Sequence, residues 1–158
     1  MKILDWINKI LEVITAISVG AITVLVLAQV LFRYVLEEPL TGSEELTRYC
    51  LIWLVLLGFS ILVRKNKHIS VTYFQELFSE GVQKALRITV HLIIAFFCFI
   101  LIYYGFDLSM KAMIQVTPAT GIRMGYVDLV IPITGFISLL FTLENIVREV
   151  KANPIEGR

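Results

Sequence analysis

The chain has 158 residues, of which 58% are apolar and 17% are charged, and its formal net charge is +1. Its mean hydropathy of +0.82 lies above the range of soluble domains of this length. The composition therefore excludes a soluble domain and gives no reason to expect a nucleic-acid partner.

The apolar residues are gathered into four long runs, and Asp128 is the only Asp, Glu, Lys or Arg within any of them. The second run is the shortest, but its helix reaches spanning length if it begins at Ser43. At about 1.5 Å per residue, a helix over each run crosses the roughly 30 Å hydrocarbon layer and satisfies its own backbone groups there. The sequence thus predicts an all-α membrane protein, a single integral membrane domain over residues 1–158, with four transmembrane helices at about residues 12–35, 43–63, 88–107 and 124–146.

The first apolar run and the last four residues of the chain each lead to a separate prediction. The first run is longer than the apolar core of a signal peptide and no A-x-A-like site follows it, so we expect a retained helix. The last four residues, 155–158, read IEGR and match a protease site common in expression vectors, so we expect a cloning remnant there.

The basic residues are divided unevenly between the two sides of the predicted helices. Ten Lys and Arg residues belong to the N-terminal segment, the 64–87 loop and the C-terminal tail, whereas four belong to the two remaining loops. Because cytoplasmic loops carry an excess of Lys and Arg, the sequence predicts that both termini and the middle loop face the cytoplasm.

The loop between the second and third runs has the pattern of an amphipathic helix. Between residues 70 and 86, apolar side chains recur at three- and four-residue spacing, and polar side chains take the other face. We expect a helix in the cytoplasmic membrane interface, although a helix packed on a partner's soluble surface fits the same pattern. Residues expected to anchor the chain at membrane interfaces are Trp6, Arg64, Lys65, Lys67, His68, Phe74 and Phe78.

The second run opens on an acidic segment, Thr41-Gly42-Ser43-Glu44, that matches a capping box. Glu44 and Glu45 are favoured near a helix N-terminus, and Arg48 is spaced to pair with them. Arg33 ends the first run at the same membrane face, where we expect an ion pair with Glu44 or Glu45, or extension toward the headgroups. These charges fit either a structural cap or docking groups for a periplasmic partner.

No catalytic, cofactor or metal site is predicted from the residue pattern. Cys50 and Cys98 lie in apolar runs and are expected to pack in the core. Haem ligation needs two histidines at similar depth, whereas His91 lies within the third run and His68 lies outside the membrane.

The middles of the predicted helices lack the ionisable residues that an autonomous transporter needs, and Pro132 is the only proline within a run. By elimination, the sequence predicts a scaffold or accessory subunit. A small stand-alone four-helix transporter or channel and a cytochrome-b-like redox anchor remain as alternatives.

Several short motifs occur in order along the chain. They are Arg33-Tyr34 at the end of the first run, S-E-E-L-x-R-Y over Ser43–Tyr49, Trp53, H-I-x-V over His68–Val71, and the segment Thr117–Tyr126. Together they resemble the small membrane subunit (Q subunit) of tripartite ATP-independent periplasmic (TRAP) transporters. Arg123 and Asp128 depart from the neutral residues expected around the last motif.

The resemblance implies membership of a complex in a bacterial or archaeal inner membrane. In that family a large multi-helix membrane subunit holds the substrate and sodium sites, and a periplasmic binding protein delivers an organic acid of the sialic acid or C4-dicarboxylate class. The small subunit is expected to stabilise the large one among the membrane lipids and to help dock the binding protein. Residues expected at these interfaces are Arg33, Glu44, Glu45, Arg48, Tyr49, Trp53 and Arg123.

Overall fold

The computed structural model describes residues 2–38, 40–65 and 80–151. Four of the helices within these ranges are long and apolar enough to cross a membrane, which confirms the all-helical prediction with four spanning segments. A short helix precedes the last of them. The five helices are α1 (Lys2–Tyr34), α2 (Ser43–Arg64), α3 (Glu80–Ala112), α4 (Met124–Asp128) and α5 (Val130–Lys151).

Two of the helices are longer than their apolar runs. α1 and α3 each have 33 residues, which corresponds to about 50 Å and exceeds the hydrocarbon layer. Residues 80–86, the last part of the predicted interfacial helix, form the first turns of α3. The rest of that predicted helix, including Phe74 and Phe78, lies outside the described residues, as do Lys67, His68 and residues 155–158.

The fourth apolar run contains a break near its start. Pro132 has no N–H to donate to the Asp128 carbonyl, and α4 ends at Asp128 while α5 begins at Val130. Leu129 between them keeps helical angles, with φ −56° and ψ −22°, so α5 continues close to the direction of α4.

Helix α5 joins the other spanning helices. It packs against both α2 and α3, whereas α1 packs mainly on α2 and α4 mainly on α3. The order of contact is therefore α1, α2, α5 and α3, and α5 is the most buried of the four spanning helices. The chain order of the helices thus differs from their order in space.

Small residues allow these helices to approach closely. Ser60 of α2 and Ser138 of α5 have their hydroxyl oxygens 2.9 Å apart, and both residues are fully buried. A Cβ added at Gly105 or Gly135 would lie 2.7 Å or 3.0 Å from an isoleucine side chain across the α3–α5 contact. Packing through small residues and buried hydroxyl contacts is typical of helices that associate within lipid.

Candidate functional site

Charged residues lie at the two ends of the helix assembly. We call the end formed by residues 33–48 and 107–128 the Glu45 end, and the end formed by residues 2–12, 64–65, 80–87 and 144–151 the Arg64 end. Between them, the described helices contain no Asp, Glu, Lys or Arg. Any site of the described chain that uses Asp, Glu, Lys or Arg therefore belongs to one end or the other.

At the Glu45 end, the acidic motif of α2 contacts the loop before α4. The Glu45 carboxylate accepts hydrogen bonds from the backbone N–H groups of Ala119 (3.3 Å) and Thr120 (3.0 Å), and from the Thr120 hydroxyl (2.8 Å). Gly42 has φ 88°, and a Cβ added there would lie 3.1 Å from the Thr120 methyl group. Two of the segments that carried the resemblance, Ser43–Tyr49 and Thr117–Tyr126, are thus in direct contact.

The loop that contacts Glu45 is also stabilised by hydrogen bonds among its own residues, 117–122. Thr117 is 2% exposed, and its N–H donates to the Ile122 carbonyl at 3.0 Å, while its hydroxyl accepts from the Ile122 N–H at 3.1 Å. Gly121 has φ 69° and donates to the Thr117 carbonyl at 3.0 Å, a left-handed turn that glycine permits. The loop is therefore a closed, hydrogen-bonded turn.

The predicted capping box does not form. The N-cap of α2 is Gly42 in a left-handed conformation without a side-chain cap, and the Ser43 hydroxyl donates to the Leu40 carbonyl at 2.8 Å. Glu45 occupies the third helical position, where a capping box would direct its carboxylate back to the N-cap N–H. Its bonds to the 119–120 backbone replace that local contact.

The expected ion pair between Arg33 and the acidic motif is also absent. Within the described residues, no carboxylate oxygen lies within 4.0 Å of Arg33, and its guanidinium lies 6.0 Å from the centre of the Tyr34 ring. Helices α1 and α2 are joined instead by the Gln29 amide, which donates to the Thr47 hydroxyl at 2.8 Å. Arg33 faces a cleft of about 590 Å³ that Glu44 also lines.

The remaining residues predicted at an interface differ in exposure. Arg48 and Arg123 are exposed, and Arg48 makes no ion pair with Glu44 or Glu45 in the described chain, contrary to the spacing argument. Tyr49 is buried, and Trp53 packs against the apolar core around Leu57. Arg48 and Arg123 can therefore touch a partner directly, whereas Tyr49 and Trp53 support the helix packing.

The Arg64 end is built around one arginine. The Arg64 side chain is only 11% exposed, forms ion pairs with Asp5 of α1 and Glu144 of α5 (3.4 Å), and lies 4.8 Å from the Phe141 ring centre. Glu144, whose side chain is 2% exposed, also pairs with Arg148 at 2.7 Å. The predicted membrane anchor thus points into the assembly and joins α1, α2 and α5.

Further polar contacts surround this arginine. Lys65 pairs with Glu12 at 2.7 Å, and Arg87 of α3 pairs with Glu149 of α5. The Asn145 amide donates to the Val63 carbonyl at 2.9 Å, near the end of α2. Trp6, the other described residue predicted as an anchor, is 67% exposed on α1 and accessible to a membrane interface.

Neither end has the arrangement of a catalytic centre. In the ranges that the structure covers, no group of three His, Cys, Asp or Glu side chains is placed to hold a metal ion. Cys50 and Cys98 are free thiols, and Cys98 is fully buried in α3. The polar groups that are placed together join helices and loops.

Comparison with known proteins identifies the family. The model of the DctQ component of tripartite ATP-independent periplasmic transporters matches residues 22–152. The chain belongs to this family. It is therefore a small permease component of a TRAP transporter and not an enzyme, and a tripartite system implies a large permease and a periplasmic binding protein.

Relatives of this DctQ-family chain include proteins named for different substrates. It is 23% identical to the sialic acid TRAP transporter small permease protein SiaQ of Vibrio cholerae, over 92% of this chain and 84% of the relative. It is 26% identical to the ectoine small permease protein TeaB of Halomonas elongata, over 89% and 76%. A match to the sialic acid permease protein SiaT of Haemophilus influenzae, at 26% identity, covers 86% of this chain but spans 22% of that protein.

Proposed function

We propose that this chain is a fixed scaffold that stabilises the large permease in the membrane and helps to dock the periplasmic binding protein. Transport itself is assigned to the partners, with uptake of an organic acid driven by the sodium gradient. Relatives named for sialic acid, ectoine and C4-dicarboxylate all resemble the chain, so the substrate class is left to the partner subunits.

The scaffold proposal rests on one observation. Between their two charged ends, the described helices contain no charged residue. A site that moves ions or acids across the bilayer needs ionisable groups or exposed backbone at membrane depth. At that depth, the buried hydroxyls of Ser60 and Ser138 are paired between α2 and α5. They support a rigid assembly rather than a transport path.

The geometry of the Glu45 end supports a docking surface made by the loop before α4 and the start of α2. Ile114 is 87% exposed and Val116 is 58% exposed, although both lie beyond the end of the spanning helix α3. Arg48 and Arg123 are exposed cations at the same end. Apolar side chains presented to water beside charged ones are typical of a protein-binding surface.

The proposal places this end in the periplasm of the inner membrane and the Arg64 end, with both termini, in the cytoplasm. The uneven distribution of Lys and Arg supports this orientation. It brings the candidate docking surface to the side where a binding protein operates.

The test is sodium-driven uptake by proteoliposomes that contain this chain, its large permease and added binding protein. We expect the Arg48→Ala/Arg123→Ala double variant to raise the concentration of binding protein needed for half-maximal uptake. Exposed charges at a docking surface increase the rate at which two proteins associate. Co-purification of the two membrane subunits should be unchanged. The Lys9→Ala variant removes an exposed cation at the opposite end that forms no ion pair in the described chain, and is the matched control.

Two outcomes contradict the proposal. Unaltered uptake by the double variant would remove Arg48 and Arg123 from the docking surface. Substrate flux through vesicles that contain this chain alone would replace the scaffold role with that of an autonomous transporter.

A further inference from the structure

The cleft at the Glu45 end brings opposite charges together without pairing them. Arg33, Glu37 and Glu44 all line this cleft of about 590 Å³. In the described part of the chain, none of the three forms an ion pair within 4.0 Å, and neither carboxylate accepts a hydrogen bond. The cleft therefore offers one cation and two anions to a ligand.

The cleft lies at the depth where lipid headgroups are expected. Its walls come from the end of α1, the start of α2 and the loop between them, and these two helix ends are the ends of two membrane-spanning segments. Val30, 50% exposed, lines its membrane side, and Leu27, 64% exposed, follows one turn deeper on α1. A ligand with a polar head and an apolar tail can thus contact both the cleft and the outer face of α1.

We propose that this cleft binds a phospholipid whose zwitterionic headgroup carries a primary amine, of the phosphatidylethanolamine type. The Arg33 guanidinium matches the phosphate, since its planar donors fit two phosphate oxygens. The ammonium group has three N–H donors, which Glu37 and Glu44 can accept. The charges of the headgroup then complement those of the cleft.

The backbone at Glu37 is explained by the end of α1. Glu37 has φ 56° and is the described non-glycine residue with a positive φ. The Glu38 N–H donates to the Phe32 carbonyl at 3.2 Å, so Glu37 is the left-handed residue that closes the C-terminus of α1. This cap places the acidic Glu37 side chain among the residues that line the cleft.

Other headgroups fit the cleft less well. Phosphatidylcholine carries a trimethylated nitrogen and has no N–H to donate to a carboxylate. Phosphatidylglycerol has no cation to offset the charges of Glu37 and Glu44. The cleft should therefore distinguish three lipids that share the same phosphate and acyl chains.

The test is native mass spectrometry of the purified full chain in detergent, titrated with phosphatidylethanolamine, phosphatidylcholine or phosphatidylglycerol of identical acyl chains. We expect phosphatidylethanolamine to bind at about tenfold lower concentration than the other two, an advantage of about 1.4 kcal/mol. Arg33→Gln should weaken its binding, and Glu44→Gln should abolish the preference over phosphatidylcholine. Circular dichroism and gel filtration verify that each variant is folded.

Two matched variants serve as controls. Lys111→Gln removes a cation at the same end that does not line the cleft, and Glu38→Gln removes the acidic neighbour of Glu37 that also does not line it. Both should bind phosphatidylethanolamine as the unaltered chain does.

The proposal is overturned if the three lipids bind equally, or if Arg33→Gln and Glu44→Gln leave lipid binding unchanged. A preference for phosphatidylglycerol would also overturn it, because phosphate recognition alone would explain the binding. Weaker binding-protein docking by Arg33→Gln in the proteoliposome uptake assay, with unaltered lipid binding, would assign the cleft to that protein instead. Since the lipid titration uses the chain without partners, its result is independent of the proposed scaffold role.

Discussion

The neighbouring glutamates Glu44 and Glu45 make different contacts although their side chains are identical. Glu45 binds the backbone of residues 119–120, whereas Glu44 faces the cleft beside Arg33. One glutamate therefore fixes the shape of this end, and the other stays available to a ligand. Substitutions at the two positions should have separable effects.

The Glu45→Ala variant should loosen the loop before α4. Because the carboxylate is the acceptor for two backbone N–H groups and one hydroxyl, we expect amide exchange across residues 117–122 to become several-fold faster. Exchange in the middle of α5 should not change. Hydrogen–deuterium exchange with mass spectrometry measures both.

Glu44→Ala is the control for this prediction, since it removes an adjacent negative charge that makes no bond to the loop. Equal protection of the loop in the unaltered chain and in Glu45→Ala would mean that the internal bonds of Thr117 are sufficient to hold it.

The sequence assigned the wrong bonds to the residues of the Glu45 end. Capping boxes and i,i+4 pairs are patterns of nearby positions, and they led to local partners for Glu45 and Arg48. The partner of Glu45 is a backbone segment far along the chain, and spacing within a motif carries no information about such a contact. The close approach of Gly42 to the Thr120 methyl group is likewise a contact between distant parts of the chain.

At the scale of the helices, close helix–helix contacts depend on glycine residues. A Cβ added at Gly125 of α4 would lie 2.6 Å from the Ser109 carbonyl oxygen and 2.7 Å from the Met113 side chain. The short helix α4 can therefore lie against the end of α3 only with glycine at this position. Gly20 of α1, by contrast, has no neighbouring atom within 4 Å of such a Cβ.

Gly125→Ala should destabilise the chain by about 1–3 kcal/mol, the usual cost of an extra methyl group in a tight contact. We expect a lower apparent melting temperature of the purified protein in detergent. Gly20→Ala makes the same chemical change in open space and should leave the melting temperature unchanged or slightly raised. Equal effects of the two substitutions would contradict the close α3–α4 contact.

At the Arg64 end, ion pairs connect α1, α2 and α5. Arg64→Gln should lower the melting temperature, because Glu144 has a side chain that is 2% exposed and loses one of its cationic partners. Glu144→Gln alone should also destabilise. The double variant Arg64→Gln/Glu144→Gln should be more stable than the sum of the single effects predicts, since the remaining charge is also removed.

Lys65→Gln breaks a more exposed pair with Glu12 and is expected to change the melting temperature little. Strict additivity of the Arg64 and Glu144 substitutions would show that the two side chains do not stabilise each other. The sequence predicted Arg64 as a lipid anchor because an arginine at the end of an apolar run usually extends to the headgroups. Its inward direction depends on Asp5 and Glu144, which come from two other helices.

For the whole molecule, hydropathy and helix length were sufficient to predict the four spanning segments. A helix in lipid must satisfy its own backbone, so the apolar runs determine the class of fold without knowledge of side-chain contacts. The order of packing was not predictable, because every spanning helix exposes an apolar surface that fits lipid and protein alike. The central position of α5 follows from particular small residues, among them Ser138 and Gly135.

The predicted orientation can be tested with single cysteines in a background that lacks Cys50 and Cys98. A cysteine in place of Gln115, which is exposed at the Glu45 end, should react with a membrane-impermeant maleimide in intact spheroplasts. A cysteine in place of Val150, 61% exposed near the Arg64 end, should react only after the membrane is permeabilised. The reverse pattern would contradict the periplasmic assignment of the Glu45 end.

The central position of α5 has a consequence for biosynthesis. A ribosome produces α1 and α2 first, then α3, and only later the helix that both groups contact. Until α5 enters the bilayer, α3 lacks its main neighbour and the paired surface of α2 is open to lipid. Before α5 is inserted, few contacts such as the edge-to-face pair of Phe59 and Phe97 join α3 to the first two helices, and insertion factors or a partner subunit can bind the exposed surfaces at that stage.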